Sequence, residues 1–375
     1  MMLRIFTPLL ILGALIPQFT FAADLSTIHK QLVAKNNLAI SQQAFCLQDP
    51  DGTTQSYRPT ARVIPASVSK VYTFDFALAK LGKDFRYKTD FILNDSTLYI
   101  NGGGDPHFVI ENLEAVIKQM SPSSPIKKIV FSPNFYFNWK QTSPTVKSAL
   151  ISALKNNKNI SVDKNLAVAY SAKKYSGAGS IYTFESAPLS ILMKQINDYS
   201  TNISSDVLIE RAGGYSEFQK YMKQVYGADT NTVKFGTGSG LKNNYTTCEL
   251  TLKVLKHFEQ SLHNVGLQIT DVMSVPGRDP GVVSKRLAGL SSADNVVLKS
   301  GFINYHQNLA GVINTEKGHV YFAVFGTYKN MNENDKTKLF VDTFVEKIVQ
   351  NYTALPYAYD VKSDVFGFTK ITKVN

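Results

Sequence analysis

The stretch from Val296 to Tyr328 sets the tightest limit on the fold. Val296 to Ile303, Asn308 to Asn314 and Val320 to Tyr328 are three apolar runs separated by short turns, one at Glu316-Lys317-Gly318. Connections that short join antiparallel neighbours, because a parallel return needs a dozen or more residues. Phe340, Phe344 and Ile348 then line one face of a closing helix. Strands bounded by helices predict an antiparallel sheet with helices packed on its faces. Ala44 to Leu47 and the segment around Tyr57, joined through Asp51-Gly52, predict a hairpin that completes this sheet.

At 375 residues, 44% apolar, the chain can hold one large domain with a substantial insertion. Val71, Phe74, Leu78 and Leu81 mark a helix that Gly82 ends. Phe85 to Ile100 predicts a second hairpin about Asn94-Asp95, Val109 to Met120 a helix, and Lys128 to Phe131 a strand. From Asn138 to Gly179 the composition shifts to Lys, Asn, Ser and Gly, with a helix expected at Val146 to Leu154 and a strand at Leu166 to Tyr170. Residues 90–180 read as an insertion into a core made of 23–89 and 181–375. Pro188 opens a helix through Ile196, a second runs from Ile203 to Gly213-Gly214, and a third from Thr246 to His257.

Residues 1–22 have a basic start at Arg4, an apolar run from Leu9 to Ile16 and small residues ahead of a cut near Ala22. That is the layout of a cleaved secretory signal, so the mature chain is expected to be exported, with no stable membrane span. The formal charge of +11 reads as scattered along the chain. Without a basic face, no nucleic-acid role is expected. Cys46 and Cys248 are far apart in sequence, and the reading favours two buried thiols over a disulfide. The six histidines show no metal-ligand spacing, so neither a zinc site nor another cofactor is predicted.

Ser67-Val68-Ser69-Lys70 places a hydroxyl and an amine three residues apart in the first turn of the Val71 helix. Residues so spaced are neighbours on a helix, so Lys70 can reach the Ser67 oxygen and act as its base once its pKa is lowered. The same spacing at Ser124 to Lys127 and at Ser171 to Lys174 reads as surface coincidence. Ser200-Thr201-Asn202 precedes the helix from Ile203, and Lys299-Ser300-Gly301, the only Lys-[Ser/Thr]-Gly in the chain, lies on the strand from Val296. Gly236 to Leu241 is a glycine-rich turn without the Lys-[Ser/Thr] that a phosphate loop needs.

Ser-x-x-Lys, Ser-x-Asn and Lys-[Ser/Thr]-Gly, in that order, are the three signatures of penicillin-interacting serine acyltransferases and β-lactamases. With Ile64 to Ser67, Leu81 to Arg86, Gly102 to Pro106, Ala187-Pro188-Leu189 and Gly238 to Leu241, the chain resembles the class C low-molecular-mass penicillin-binding proteins, serine D-Ala-D-Ala carboxypeptidases and endopeptidases. The resemblance implies an α/β (α+β) fold: a β-lactamase/transpeptidase-like domain, an all-helical subdomain, and an insertion between the first two motifs. It implies Ser67 as nucleophile, Lys70 as base and Ser200 as proton relay. Asn202 would hold Lys70 and the substrate amide; Lys299 and Ser300 would hold the terminal carboxylate; Gly301 and Phe302 complete the substrate-binding strand, with the Phe302 N–H in the oxyanion hole. The implied partners are peptidoglycan stem peptides and β-lactams, in the periplasm, with no cofactor.

Ser300 stands where threonine is commoner and Thr201 where aspartate is. Gly277 to Gly281 carries an extra residue at the expected rim of the site, and the insertion is short. The competing functions are a β-lactamase, for which Glu210, Glu217, Glu249 and Glu259 lack the expected Glu-x-x-Leu-Asn context, and a wall-binding protein without turnover.

Overall fold

The computed structural model describes residues 24–290, 293–361 and 366–374; the secretory signal of 1–22 lies outside them. Helix α1 (Leu25–Lys35) leads into β1 (Ala44–Gln48), β2 (Thr54–Tyr57) and the short β3 (Arg62–Val63), followed by α2 (Ser69–Leu81). Next come β4 (Lys88–Asn94), β5 (Thr97–Asn101), α3 (Ile110–Met120), β6 (Ile126–Phe131), α4 (Ser143–Asn156), β7 (Val162–Tyr170) and β8 (Ser180–Glu185). Helices α5 (Leu189–Tyr199), α6 (Asn202–Arg211) and α7 (Gly214–Tyr226) form a helical run, then β9 (Thr246–Thr247) and α8 (Cys248–Asn264). The chain closes with β10 (Val296–Ile303), β11 (His306–Thr315), β12 (Gly318–Thr327), α9 (Asn334–Gln350) and β13 (Lys370–Val374).

The expected antiparallel sheet forms in the order β10-β11-β12-β1-β2, and the N-terminal hairpin completes it. Both faces are covered, which explains why its strands read as almost continuous apolar runs. Phe45, Leu47, Leu298 and Phe322 pack under α1 and α9. Ala44, Cys46, Val297 and Phe325 face the side of α2 and α8. Each large side chain taken out of water there contributes about 1.5–3 kcal/mol. Helix α2 is pinned further by Asp75, which accepts from Tyr221 at 2.8 Å and Tyr226 at 2.5 Å and contacts His257 at 2.9 Å.

A second sheet has the order β13-β8-β4-β5-β6-β7, with β5, β6 and β7 parallel. Its core is a separate cluster that includes Phe91, Phe108, Phe131 and Phe184, with α3 and α4 packed on it. Lys370–Val374, which the sequence reading leaves with the main body, pairs with β8 at the edge of this second sheet. Nothing local announces that pairing, because the partner strand lies far back in the chain.

Two expectations are corrected. Cys46 and Cys248 form a disulfide, with Cα atoms 5.7 Å apart, although 202 residues separate them. The sequence could not show that the middle of β1 and the first turn of α8 meet. Closing so long a loop removes much chain entropy from the unfolded state, so the double Cys46→Ala, Cys248→Ala variant is expected to lose about 2–4 kcal/mol. Thermal unfolding with and without reductant measures this; an unchanged midpoint would show that the bridge is idle. The charge is not scattered either. Residues 118–174 hold ten lysines and a single aspartate, +9 of the formal +11, and all ten lysines are exposed.

Candidate active site

The nucleophile candidate sits slightly earlier than the sequence suggests. Ser67 lies in a 3₁₀ turn, Ala66–Val68, that leads into α2, and Lys70 is the second residue of that helix. Ala66 is held at φ 47°, a backbone region that costs about 1–3 kcal/mol for a non-glycine residue. The turn is clamped by neighbours. Asn308 on β11 donates to the carbonyls of Ile64 and Pro65 at 2.9 and 3.0 Å. Gly301 lets β10 run against the same turn, since a Cβ there would lie 2.5 Å from the Pro65 oxygen.

Gly240 closes the opposite side. At φ +90° it packs so close that a Cβ would overlap the Ala66 carbonyl. Gly240→Ala is therefore expected to destabilise the protein by about 2 kcal/mol or more and to displace Ser67. Thermal melting and penicillin acylation measure the two effects, and wild-type values for both would refute the clamp.

Lys70 is fully buried. Its Nζ lies 2.9 Å from Ser67 Oγ, 2.9 Å from Asn202 Oδ1 and 3.2 Å from the Ser239 carbonyl. A neutral amine has two N–H bonds and one lone pair. Asn202 Oδ1 and the Ser239 carbonyl can only accept, so they take the two N–H bonds and leave the lone pair for the Ser67 hydroxyl. Burial drives the Lys70 pKa down to about 7, against a smaller upward pull from the Asp206 carboxylate. Desolvation, and not a neighbouring cation, is the leading cause of that shift. The repulsion between the two lysines is felt at Lys299, which is also buried and held well below its ordinary value by desolvation and then by Lys70.

Ser200 occupies the left-handed region at φ 53°, between α5 and α6. Lys299 on β10 donates to its Oγ at 3.1 Å and to the Ser300 carbonyl at 3.0 Å. The structure thus links Ser67, Lys70 and Asn202 in one hydrogen-bonded set and Ser200 with Lys299 in another, and the charges of Lys70 and Lys299 couple the sets. Ser300 is half-buried, Gly301 buried, and the Phe302 ring is more than half exposed. Lys127 and Lys174, from the repeats of the first motif noted above, are exposed on the inserted lobe.

Several supporting groups escape a reading of the sequence. Ser239 contributes its carbonyl, and its N–H is held by Asp206 at 2.8 Å. Asp206 follows Asn202 by four residues, so it shares that face of α6, a signal legible in the sequence. Asp198 accepts from Ser274 at 2.5 Å, its carboxyl raised to about 6 by burial, and its charge favours the protonated form of Lys299. The Gly277 to Gly281 turn, expected to disturb the rim, is fixed to α5. Asp279 pairs with Lys194 at 2.5 Å and accepts the Val275 N–H at 2.7 Å, while Gly281 packs on the Asp198 carbonyl.

Solved structures share this fold. The Bd3459 predatory endopeptidase of Bdellovibrio bacteriovorus superposes with a TM-score of 0.78 at 23% identity, over 87% of this chain and 98% of that one. Its penicillin G acylated form, in complex with an immunity protein, gives a TM-score of 0.77 at 24% identity, over 88% and 99%. Penicillin binding protein 4 of Haemophilus influenzae gives 0.66 at 15% identity, over 86% and 99%. No curated protein matches the chain in sequence. The family match covers residues 26–131 and 135–346, nearly all of the sequence that builds the two sheets and the Ser67 cleft: the chain belongs to the D-Ala-D-Ala carboxypeptidase 3 (S13) family.

Proposed function

We propose that the protein is a penicillin-sensitive serine D,D-peptidase. It cleaves the D-Ala-D-Ala bond of peptidoglycan stem peptides, or the matching cross-link, through an acyl-enzyme on Ser67. The observation that carries this reading is the buried Lys70 amine, whose lone pair is left to the Ser67 hydroxyl by two acceptor-only partners.

Ser67 Oγ attacks the carbonyl carbon of the penultimate residue while its proton passes to Lys70 Nζ. The backbone N–H groups of Ser67 and Phe302 hold the oxyanion, a contribution of about 3 kcal/mol for a single donor. Collapse of the tetrahedral species breaks the C–N bond, and the leaving amine takes its proton through Ser200. Water then cleaves the ester. Asn202 keeps Lys70 and the substrate amide in register, and Lys299 with Ser300 receives the terminal carboxylate on the strand that Gly301 brings to the turn. An arriving carboxylate restores charge to Lys299, which burial alone disfavours.

Three of the four glutamates weighed for a lactamase role are engaged elsewhere. Glu217 pairs with Lys80 and Lys220, Glu249 with Lys253, and Glu259 with His319. That supports slow deacylation and a lasting penicillin adduct. The bridge between Cys46 and Cys248 supports export to an oxidising compartment such as the periplasm, with the leader cut near Ala22. Among the described residues, no helix is long and apolar enough to cross a membrane.

Intact-mass measurement after incubation with penicillin tests the reading. A lasting adduct is expected; rapid penicillin hydrolysis would favour a lactamase, and no adduct a wall-binding protein. With a D-Ala-D-Ala stem peptide, Lys299→Ala is expected to lower kcat/KM for D-alanine release by roughly 10–100-fold, the weight of a hydrogen bond to a charged group. Unchanged release would contradict the carboxylate role.

A further inference from the structure

A cavity of about 550 Å3 lies where the inserted lobe meets α5, and none of the motif residues around Ser67 lines it. Phe184, Ala187 and Leu192 form an apolar wall, while Asp105, His107 and Gln195 supply polar groups. His107 is only 8% exposed and its ring lies against the Gln195 side chain, yet among the described residues neither ring nitrogen nor the Gln195 side-chain oxygen completes a hydrogen bond of good geometry. Asp105 is buried as well and takes the His107 backbone N–H at 2.9 Å on one oxygen. Burial drives the imidazole down to about 4, so the ring is neutral and carries one donor and one acceptor. Buried polar groups are normally paired, and a roomy cavity edged by unpaired ones is built for a ligand that pairs them.

The mouth narrows the chemistry. Trp139, the only tryptophan of the chain, stands there 46% exposed. It is held at φ 58° directly after Asn138 at φ 47°, and a bulky side chain in that region is an outlier that the surroundings must enforce. An aromatic face at the rim, an apolar wall and a floor needing both donors and acceptors match a pyranose ring. Sugar hydroxyls donate and accept at once, the C–H face lies on an indole, and an acetamido methyl suits the apolar wall. The same lobe carries the ten exposed lysines of residues 118–174, none of which forms an ion pair among the described residues, a field that attracts a polymer bearing carboxylates.

We propose that this cavity holds an N-acetylated amino sugar of the glycan strand, so that the enzyme grips the strand at one site and cuts stem peptides at another. The choice of glycan rests on the peptidoglycan reading above; the cavity and its unpaired groups do not.

Titration of the full mature protein with triacetylchitotriose, read by Trp139 emission and by calorimetry, tests the site. A saturable response is expected, with no response to maltotriose, which lacks the acetamido groups. Gln195→Leu and Trp139→Ala, the latter read by calorimetry alone, are each expected to weaken binding about tenfold, the loss of one good contact. His107→Phe is expected to do the same while preserving the packing. No saturable response at millimolar probe, an equal response to maltotriose, or undiminished binding in Gln195→Leu and His107→Phe overturns the proposal. Penicillin acylation of the same samples keeps the two readings apart: if Ser67 fails to acylate in the wild type, the peptidase reading falls, while the sugar titration still decides by itself whether the cavity binds an acetamido sugar.

Discussion

Ser67→Ala is expected to yield no covalent penicillin adduct and to lower D-alanine release from a stem peptide by at least about 10^4-fold. The size of the effect follows from the division of labour at the site. The remaining groups can still bind substrate and polarise its carbonyl, but among the described residues no other hydroxyl is hydrogen-bonded to the Lys70 amine. Folding should be untouched, because Ser67 is only half-buried and its turn is held by Asn308, Gly240 and Gly301 instead. An adduct of normal mass on the variant would place the nucleophile elsewhere and remove the basis of the mechanism.

Lys70→Met is expected to lower acylation by roughly 10^2–10^4-fold, the usual weight of a positioned general base. Lys70→Arg should fail to rescue it, since a guanidinium keeps its proton. In the wild type, acylation should rise with pH through about 7 and level off above, because the amine works only after losing its proton. The linkage to stability has a definite sign. Between about 7 and the ordinary lysine value of 10.5 the unfolded chain binds a proton that the folded chain does not, so Lys70 makes stability rise with pH across that window. Below about 7 the penalty of a buried cation is fully present. Lys70→Met removes it, so the inactive variant should melt no lower than the wild type at pH 6, and higher if Met fills the space. A pH-independent acylation rate, or a large drop in melting temperature, would assign Lys70 a structural role instead.

Much of the fold is legible in the chain because burial writes directly into it. The strands β10, β11 and β12 are apolar nearly throughout, since helices cover both faces of their sheet, and the hairpin of β1 and β2 announces itself through Asp51-Gly52. The parallel run β5-β6-β7 and the joining of β13 to β8 are not legible, because the partners are distant and an edge strand such as Lys370–Val374 carries little apolar pattern. The disulfide is illegible for the same reason: two cysteines 202 residues apart share no local sign of meeting.

The site divides along the same line. Local spacing alone sets the reach of Lys70 to Ser67, because three residues along one helical turn bring them together whatever the rest of the chain does. Order along the chain marks Ser200, Asn202 and Lys299 as candidates. Their convergence, the burial that lowers the Lys70 pKa, the Ser239 carbonyl that takes its second N–H, and the turn in which Ala66 is held at φ 47° exist only once sheet, helices and glycine-lined loops close on one another. Residue types can specify which groups are present; desolvation and close backbone approach are properties of the space between segments, and no single segment encodes that space.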